Sequence, residues 1–442
     1  MPSPKPVISP EDQKLREQIE KKYKKTPEEL YKEREKRLWD TVMMKVPDRV
    51  PVIFGGNFFA CKYAGIPYSA AYYDVVAWKE AFKKMVVEFA PDAYGWQPQE
   101  SGIAMEALDT TYTRWPGFSL PDNVAFQITE HEYMKDDEYD LFLADPSDYV
   151  VRVLMPRIFG IMAPVAQLPP LMNLGTNITA VTPVFATPEF AKLARAMQKA
   201  GEAEAKYRAV VMKVPGELAS LGFPNGALSE RFGGVMPPFS TFSNTFRTFN
   251  GVARDMFRQP DKLKAALQKL TDYRIARAVP AVKTPGRPTI GVSGEPHRVS
   301  DEFFSTKQFE EFVWPYWKQA MDKTYELGYD IVSMFFEGRR DKQLKYFLDY
   351  PKGSMLIRFA ETDIFRAREV LGDRACFMGN VPIAMLVAGS TTDVDEYCKK
   401  LIKGVGKNGG LILRCSTDFT QEAKPANVKA MIDSVEKYGR YS

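Results

Sequence analysis

Residues 330–361 read DIVSMFFEGRRDKQLKYFLDYPKGSMLIRFAE. Two short apolar runs, Asp330–Glu337 and Ser354–Glu361, each close on a polar, charged turn. Runs of that length bounded by turn signals read as buried strands, because a packed helix needs a longer pattern. The same unit repeats on both sides. Thr289–Gly294 precedes it, while Ala375–Gly379 and Leu411–Ser416 follow, with helical patterns at Thr306–Leu327, Asp363–Leu371, Thr392–Gly404 and Pro425–Tyr438. The last of these opens with a proline in its first turn, where the missing N–H costs nothing.

The front half supplies three more strands, Arg49–Gly55 before a helix at Asp74–Phe89, then Ala93–Gln97 and Ser229–Val235. Eight strands alternating with helices match a (β/α)8 TIM barrel, whereas an open doubly wound sheet has fewer strands and favours a glycine-rich first turn. Residues 102–228 then form a long insertion between strands 2 and 3, with a helix at Thr187–Val211 and the proline-rich PRIFGIMAPVAQLPP. Residues 1–48 form an N-terminal helical extension. Within it Pro10–Lys45 reads as one exposed amphipathic helix carrying Leu30, Leu38 and Val42. Residues 49–442 make a single barrel domain.

Bulk properties narrow the partners. With 442 residues and 45% hydrophobic composition the chain can bury a large core. Its 60 Lys and Arg against 56 Asp and Glu leave a formal charge of +4, too balanced for a nucleic-acid surface. The N-terminus lacks an apolar signal region and no stretch is apolar for long enough to span a bilayer, so a cytoplasmic protein without membrane contact is expected. Cys61, Cys376, Cys398 and Cys415 show no C-x-x-C spacing, which argues against a zinc ribbon or disulfide framework.

In a TIM barrel the chemistry gathers where the strands end. Those ends carry Gly294-Glu295-Pro296-His297-Arg298, Glu337-Gly338-Arg339-Arg340, Glu361-Thr362-Asp363, Gly379-Asn380 and Arg414-Cys415-Ser416-Thr417-Asp418. His297, Glu337 and Cys415 offer three ligands for a zinc ion with an open fourth position; alternatively, His297 and Glu337 hydrogen-bond each other or a substrate. Glu295, Arg298 and Arg339 are candidate substrate contacts, and Asn380 a candidate for orienting the substrate. Phe58 in FGGNFFACKY, Trp96, and Phe246 in PPFSTFSNTFRTFNG could line an aromatic pocket, with core packing as the alternative. Gly404–Gly410 lacks the G-K-[ST] ending of a phosphate loop and precedes a strand, so it reads as a helix stop and turn.

From Val299 onward the chain resembles the uroporphyrinogen decarboxylase superfamily through STKQFEEFVWPY, the Glu337-Gly338 pair, AREVLGDRACFMGNVP, KNGGLIL and KPANVKAMI; PEELYKEREKRLWDTVMMKVPDRVPV near the start is similar too. The resemblance implies a barrel that either decarboxylates or moves methyl groups to or from corrinoids. The decarboxylases carry an R-Q-A-G-R segment after the first strand whose arginines hold porphyrinogen carboxylates, and GGNFFACKYAG stands there instead. Methyltransferases acting on coenzyme M carry H-x-C after the fifth strand, where this chain has Phe335-Phe336-Glu337, while Cys415 matches their later zinc cysteine. Among the relatives, the pattern is most similar to O-demethylase methyltransferase components.

The resulting expectation is transfer of a methyl group from a small methylated donor, such as a methoxylated aromatic, to cobalamin carried by a corrinoid protein partner. Neither histidine lies in a D-x-H-x-x-G corrinoid motif, so the cofactor would arrive on that partner. Glu337 or His297 would act as acid, Zn2+ would be a further cofactor if Cys415 completes its ligands, and the resemblance allows a homodimer. Two rivals remain: a decarboxylase with Arg298, Arg339 or Arg414 clamping a carboxylate, and a ligand-binding barrel without catalysis.

Overall fold

The computed structural model describes residues 9–95, 98–175, 178–226, 233–293, 297–418 and 420–441. Strands β1 (Ile53–Phe54) and β2 (Ala93–Tyr94) pair in parallel. The short strands β3 (Thr113–Arg114) and β4 (Gln127–Ile128) form a separate antiparallel pair. A five-stranded parallel sheet follows in sequence order: β5 (Ile290–Val292), β6 (Ile331–Phe336), β7 (Met355–Phe359), β8 (Ala375–Met378) and β9 (Leu411–Ile412).

The two parallel groups touch. Val52 bridges in parallel to Leu413, just beyond β9. On the other side of β1, Tyr94 of β2 bridges in parallel to Asn225. The third strand, expected at Ser229–Val235, is therefore met earlier in the chain; residues 227–232 lie outside the described residues, and Gly233 accepts a hydrogen bond from the Val292 amide of β5 at 2.7 Å. Between β2 and Asn225 the chain makes the β3–β4 pair and a series of helices, including the 24-residue Pro188–Val211 with its Thr187 cap.

Two buried clusters divide the core. One gathers a residue or two from each strand of the parallel groups, Ile53, Ala93, Ile290, Ile331, Leu356, Cys376, Met378 and Ile412, on the face that looks inward. The other, larger, lies between the strands and the surrounding helices and contains Phe336, Phe359, Phe377, Trp317 and Cys415. Strand alternation explains the split, since residues two apart share a face.

The N-terminal segment departs from the single exposed helix expected of it. Lys24 takes a left-handed conformation (φ 53°), Thr26 caps a new helix through a reciprocal pair with Glu29, and the chain forms Pro10–Tyr23 and Pro27–Val42. Pro27 lacks the N–H that a continuous helix would use, so the break falls there. The second helix is not merely solvated: Leu38 and Val42 join the inward cluster, at the end where the strands begin. Buried ion pairs fasten that end. Asp92, 1% exposed, receives Arg37 and Arg49 and accepts the Val52 amide at 2.9 Å. Arg37 also grips Asp48 at 2.6 and 2.7 Å, and Arg49 reaches Glu436 at 2.7 Å. Burial alone would raise the Asp92 pKa, yet the two guanidiniums hold it below its ordinary value.

Similarly, the helix expected over Thr306–Leu327 is interrupted at Val313, giving Thr306–Phe312 and Trp314–Glu326, because Pro315 can only occupy a first turn. The glycine run before β9 is a turn, as anticipated, with Gly409 and Gly410 at positive φ. Among the described residues no helix is long and apolar enough to cross a membrane.

Candidate active site

Beyond β6 the inward face continues from Ile331 through Ser333 and Phe335 to Glu337. Gly338, at φ 67°, then turns the chain against the segment that follows β5; a Cβ there would lie 2.8 Å from the Ser300 Cβ. Two hydrogen bonds lock these segments together, from the Asp301 amide to the Arg339 carbonyl (2.7 Å) and from Gln343 Nε2 to the Val299 carbonyl (2.6 Å). The His297 amide donates to Ser240 Oγ at 2.7 Å. So held, His297 Nδ1 lies 2.9 Å from Glu337 Oε2, with the two side chains 42% and 48% exposed. The hydrogen bond from His297 lowers the Glu337 pKa, against the burial that would raise it. An ionised Glu337 accepts, so Nδ1 carries the proton and Nε2 faces away from the carboxylate.

Cys415 does not join this pair. It follows Arg414 by one position and so faces the opposite side, into the outer cluster, where its Sγ lies 3.0 Å from the Thr417 carbonyl. Burial pushes its thiol up to about 11, far from the thiolate a zinc ion requires. Among the described residues no three His, Cys, Asp or Glu side chains are grouped to hold a metal ion. The donor set anticipated for zinc is therefore not assembled.

Other anticipated contacts have protein partners. Asn380 spends its Nδ2 on the carbonyls of Ala360 (3.3 Å) and Thr362 (3.1 Å), and its Oδ1 accepts from Tyr397 at 3.2 Å, so it ties the end of β7 to the turn after β8 rather than presenting its amide to a substrate. Arg298, in a left-handed conformation, pairs with Glu130. Arg339 is exposed, with Glu302 and Asp341 at 3.8 and 3.9 Å. Phe58 is buried and stacks on Tyr68 with ring centroids 5.1 Å apart, while Phe246 is buried against Phe242 at 5.2 Å. These are packing roles in two different aromatic stacks. Trp96 and Glu295 lie outside the described residues.

A charged group sits on the inward face; Arg414 and Asp418 were among the strand-end candidates, whereas its third member, Arg358, was missed in the sequence. Arg358 stands two residues beyond Leu356, and Arg414 two beyond Ile412, so both follow the inward cluster towards the strand ends. Asp418 joins them: Arg358 Nη1 reaches its Oδ2 and Arg414 Nη2 its Oδ1, each at 2.5 Å. Burial opposes ionisation of Asp418, but the flanking guanidiniums hold its carboxyl well below the usual range. An arginine inside the apolar run SMLIRFAE was the available signal, unreadable without knowing which face it occupied.

The uroporphyrinogen decarboxylase family model matches residues 171–438. A curated uroporphyrinogen decarboxylase from Chlorobaculum tepidum is 22% identical over 197 residues, 43% of this chain and 53% of that protein, so the chain spans about half the length of this relative. A solved methyltransferase from Methanosarcina mazei superposes with a TM-score of 0.52 at 15% identity, covering 91% of this chain and 98% of that one, a likeness of fold. The parallel strands, the rim formed where they end, and a family match over more than half of the residues agree: the chain belongs to the uroporphyrinogen decarboxylase family.

Proposed function

We propose that this chain is a methyltransferase which moves a methyl group from a small methoxylated aromatic to a corrinoid carried by a partner protein, working from a closed eight-stave barrel. The observation that carries the reading is the His297–Glu337 pair at the strand ends. A methyl ether reacts slowly because its leaving oxygen is strongly basic, and a positioned acid lowers that barrier. His297 Nε2 is the group suited to the task, with ionised Glu337 fixing the ring and stabilising its charge. As the methyl–oxygen bond breaks, the departing oxygen takes the Nε2 proton of the His297 imidazolium, leaving a neutral ring whose remaining proton stays on Nδ1 towards Glu337. A corrinoid on the partner would supply the nucleophilic electron pair for the methyl carbon. Half-exposure of the pair suits a second reactant that approaches from outside. No step is routed through zinc, since the residues do not gather to bind it.

The test is purified protein with Co(I) cobalamin and a panel of methoxyaromatics and methylamines under reducing conditions, followed by the absorbance change on cobalt methylation. Turnover with methoxyaromatics is expected, falling by about 10²- to 10⁴-fold in His297→Ala. Glu337→Gln should lose transfer without unfolding; normal turnover in either variant would remove that residue from the mechanism. The curated relative's name favours a second reading, decarboxylation of a carboxylated substrate, which carbon dioxide release without cobalt methylation would reveal.

A further inference from the structure

The Arg358–Asp418–Arg414 group is incomplete. Asp418 has one oxygen engaged by each arginine, so two buried cations share one anion. Arg358 is 9% exposed, and its Nε and Nη2 are buried without a hydrogen-bond partner. Those two atoms form one edge of the guanidinium, the fork whose parallel N–H groups match the two oxygens of a carboxylate. Its face is already covered: the cross-strand neighbour Phe335 lies with its ring centroid 4.7 Å from Arg358 Cζ, leaving the edge as the unused surface. A buried donor pair without acceptors is costly to keep unless something else supplies them.

Glycine backbone packs closely beside the second arginine. A Cβ on Gly95 would lie 3.2 Å from Arg414 Nη2, and a Cβ on Gly55 would lie 2.4 Å from the Gly95 carbonyl oxygen. Only glycine after β2 lets the Arg414 head lie this close, and Gly55 after β1 packs on that glycine in turn. The position along the strands is also informative. Arg358 pairs in register with Phe335, and Glu337 lies two residues further towards the mouth. Two residues of strand span about 7 Å, comparable to a benzene ring with a substituent at each end.

We infer that Arg358 and Arg414, bridged by Asp418 inside the barrel, hold the carboxylate of an aromatic substrate whose opposite end reaches the His297–Glu337 pair. The cations that the chain lacks after its first strand are supplied instead from β7 and β9. The anion site stands on its own geometry; only the assignment of the opposite end, a methoxy group, rests on the methyl-transfer reading.

Calorimetric titration of the full chain with 4-methoxybenzoate, 4-methoxybenzamide and inorganic phosphate tests the site without any corrinoid. The benzoate should bind with one-to-one stoichiometry and about ten- to hundredfold more tightly than the amide, the range expected for charge-assisted hydrogen bonds. Arg358→Leu should erase that preference, and Arg358→Lys should restore part of it, because the charge returns without the fork. Equal affinity for benzoate and amide, failure of both to bind, phosphate binding as tight as benzoate, or an undiminished preference in Arg358→Leu would each overturn the inference. The benzoate-to-amide comparison in the unaltered chain decides the matter even if a variant does not fold. Arg358-dependent benzoate binding without cobalt methylation would sink the methyl-transfer reading and leave the site standing; methylation by neutral methoxyarenes with no carboxylate preference would do the reverse.

Discussion

Two buried Arg–Asp–Arg groups occupy opposite ends of the strands, and they are finished differently. At the end where strands begin, Asp92 binds Arg37 and Arg49, and each arginine has a further carboxylate, Asp48 or Glu436. At the other end Asp418 binds Arg358 and Arg414, and one edge of Arg358 has nothing to bind. The first group is electrostatically closed, so its role is to hold the helix Pro27–Val42 against the start of the strands. The second carries surplus positive charge in a site that water screens poorly. Saturation of hydrogen bonds, more than burial or charge alone, separates a fastening from a receptor.

The sharpest way to break this contrast is Asp92→Asn, which leaves two buried arginines sharing no anion. It should lower stability by about 3–5 kcal/mol, read by urea unfolding; a loss under about 1 kcal/mol would show that the clasp at that end is dispensable. The contrast is sharpened by a matched pair of arginine variants. Arg37→Leu removes charge-assisted bonds to both Asp92 and Asp48 and should cost about 2–3 kcal/mol, whereas Arg358→Leu leaves Asp418 and Arg414 paired one to one and should change stability by less than about 1 kcal/mol. Equal losses in the two variants would mean that both groups are fastenings.

Acid titration comes next. Asp92 and Asp418 have folded-state pKa values below their unfolded ones, so the stability they contribute is fully present above the ordinary carboxylate range near pH 4 and is lost as pH falls through their folded values. The acid limb of stability against pH should therefore flatten in Asp418→Asn, and an unchanged limb would contradict the assignment. The smallest expected effect is that of Gly95→Ala. Its Cβ needs Arg414 to shift by a few tenths of an ångström, costing under about 1 kcal/mol, but it should weaken benzoate binding measurably if the Arg414 head belongs to the receptor.

Much of the architecture was legible in the sequence because β6, β7 and β8 are short apolar runs closed by polar turns. Two long helices were overextended where Pro27 and Pro315 start new ones, since apolar spacing continued across both breaks. At the candidate site, His297 and Glu337 stood out as polar strand-end residues. Cys415 was misjudged and Arg358 passed over for one shared reason: parity along a strand. A shift of one position exchanges the two faces, so Arg414 looks inward while the adjacent Cys415 looks out. Composition gives no hint of parity. It becomes visible only once the cross-strand register, such as Phe335 opposite Arg358, is known.

The placement of Leu38 and Val42 in the inward cluster stoppers the far end of the interior. With that end filled, the approach to His297 and Glu337 is from the end where the strands finish. In the proposed methyl transfer, a large protein seated over that end would imprison the small molecule already inside, so reactants would have to load in a compulsory order, the small one first, and the spent aromatic could depart only after the larger visitor had withdrawn.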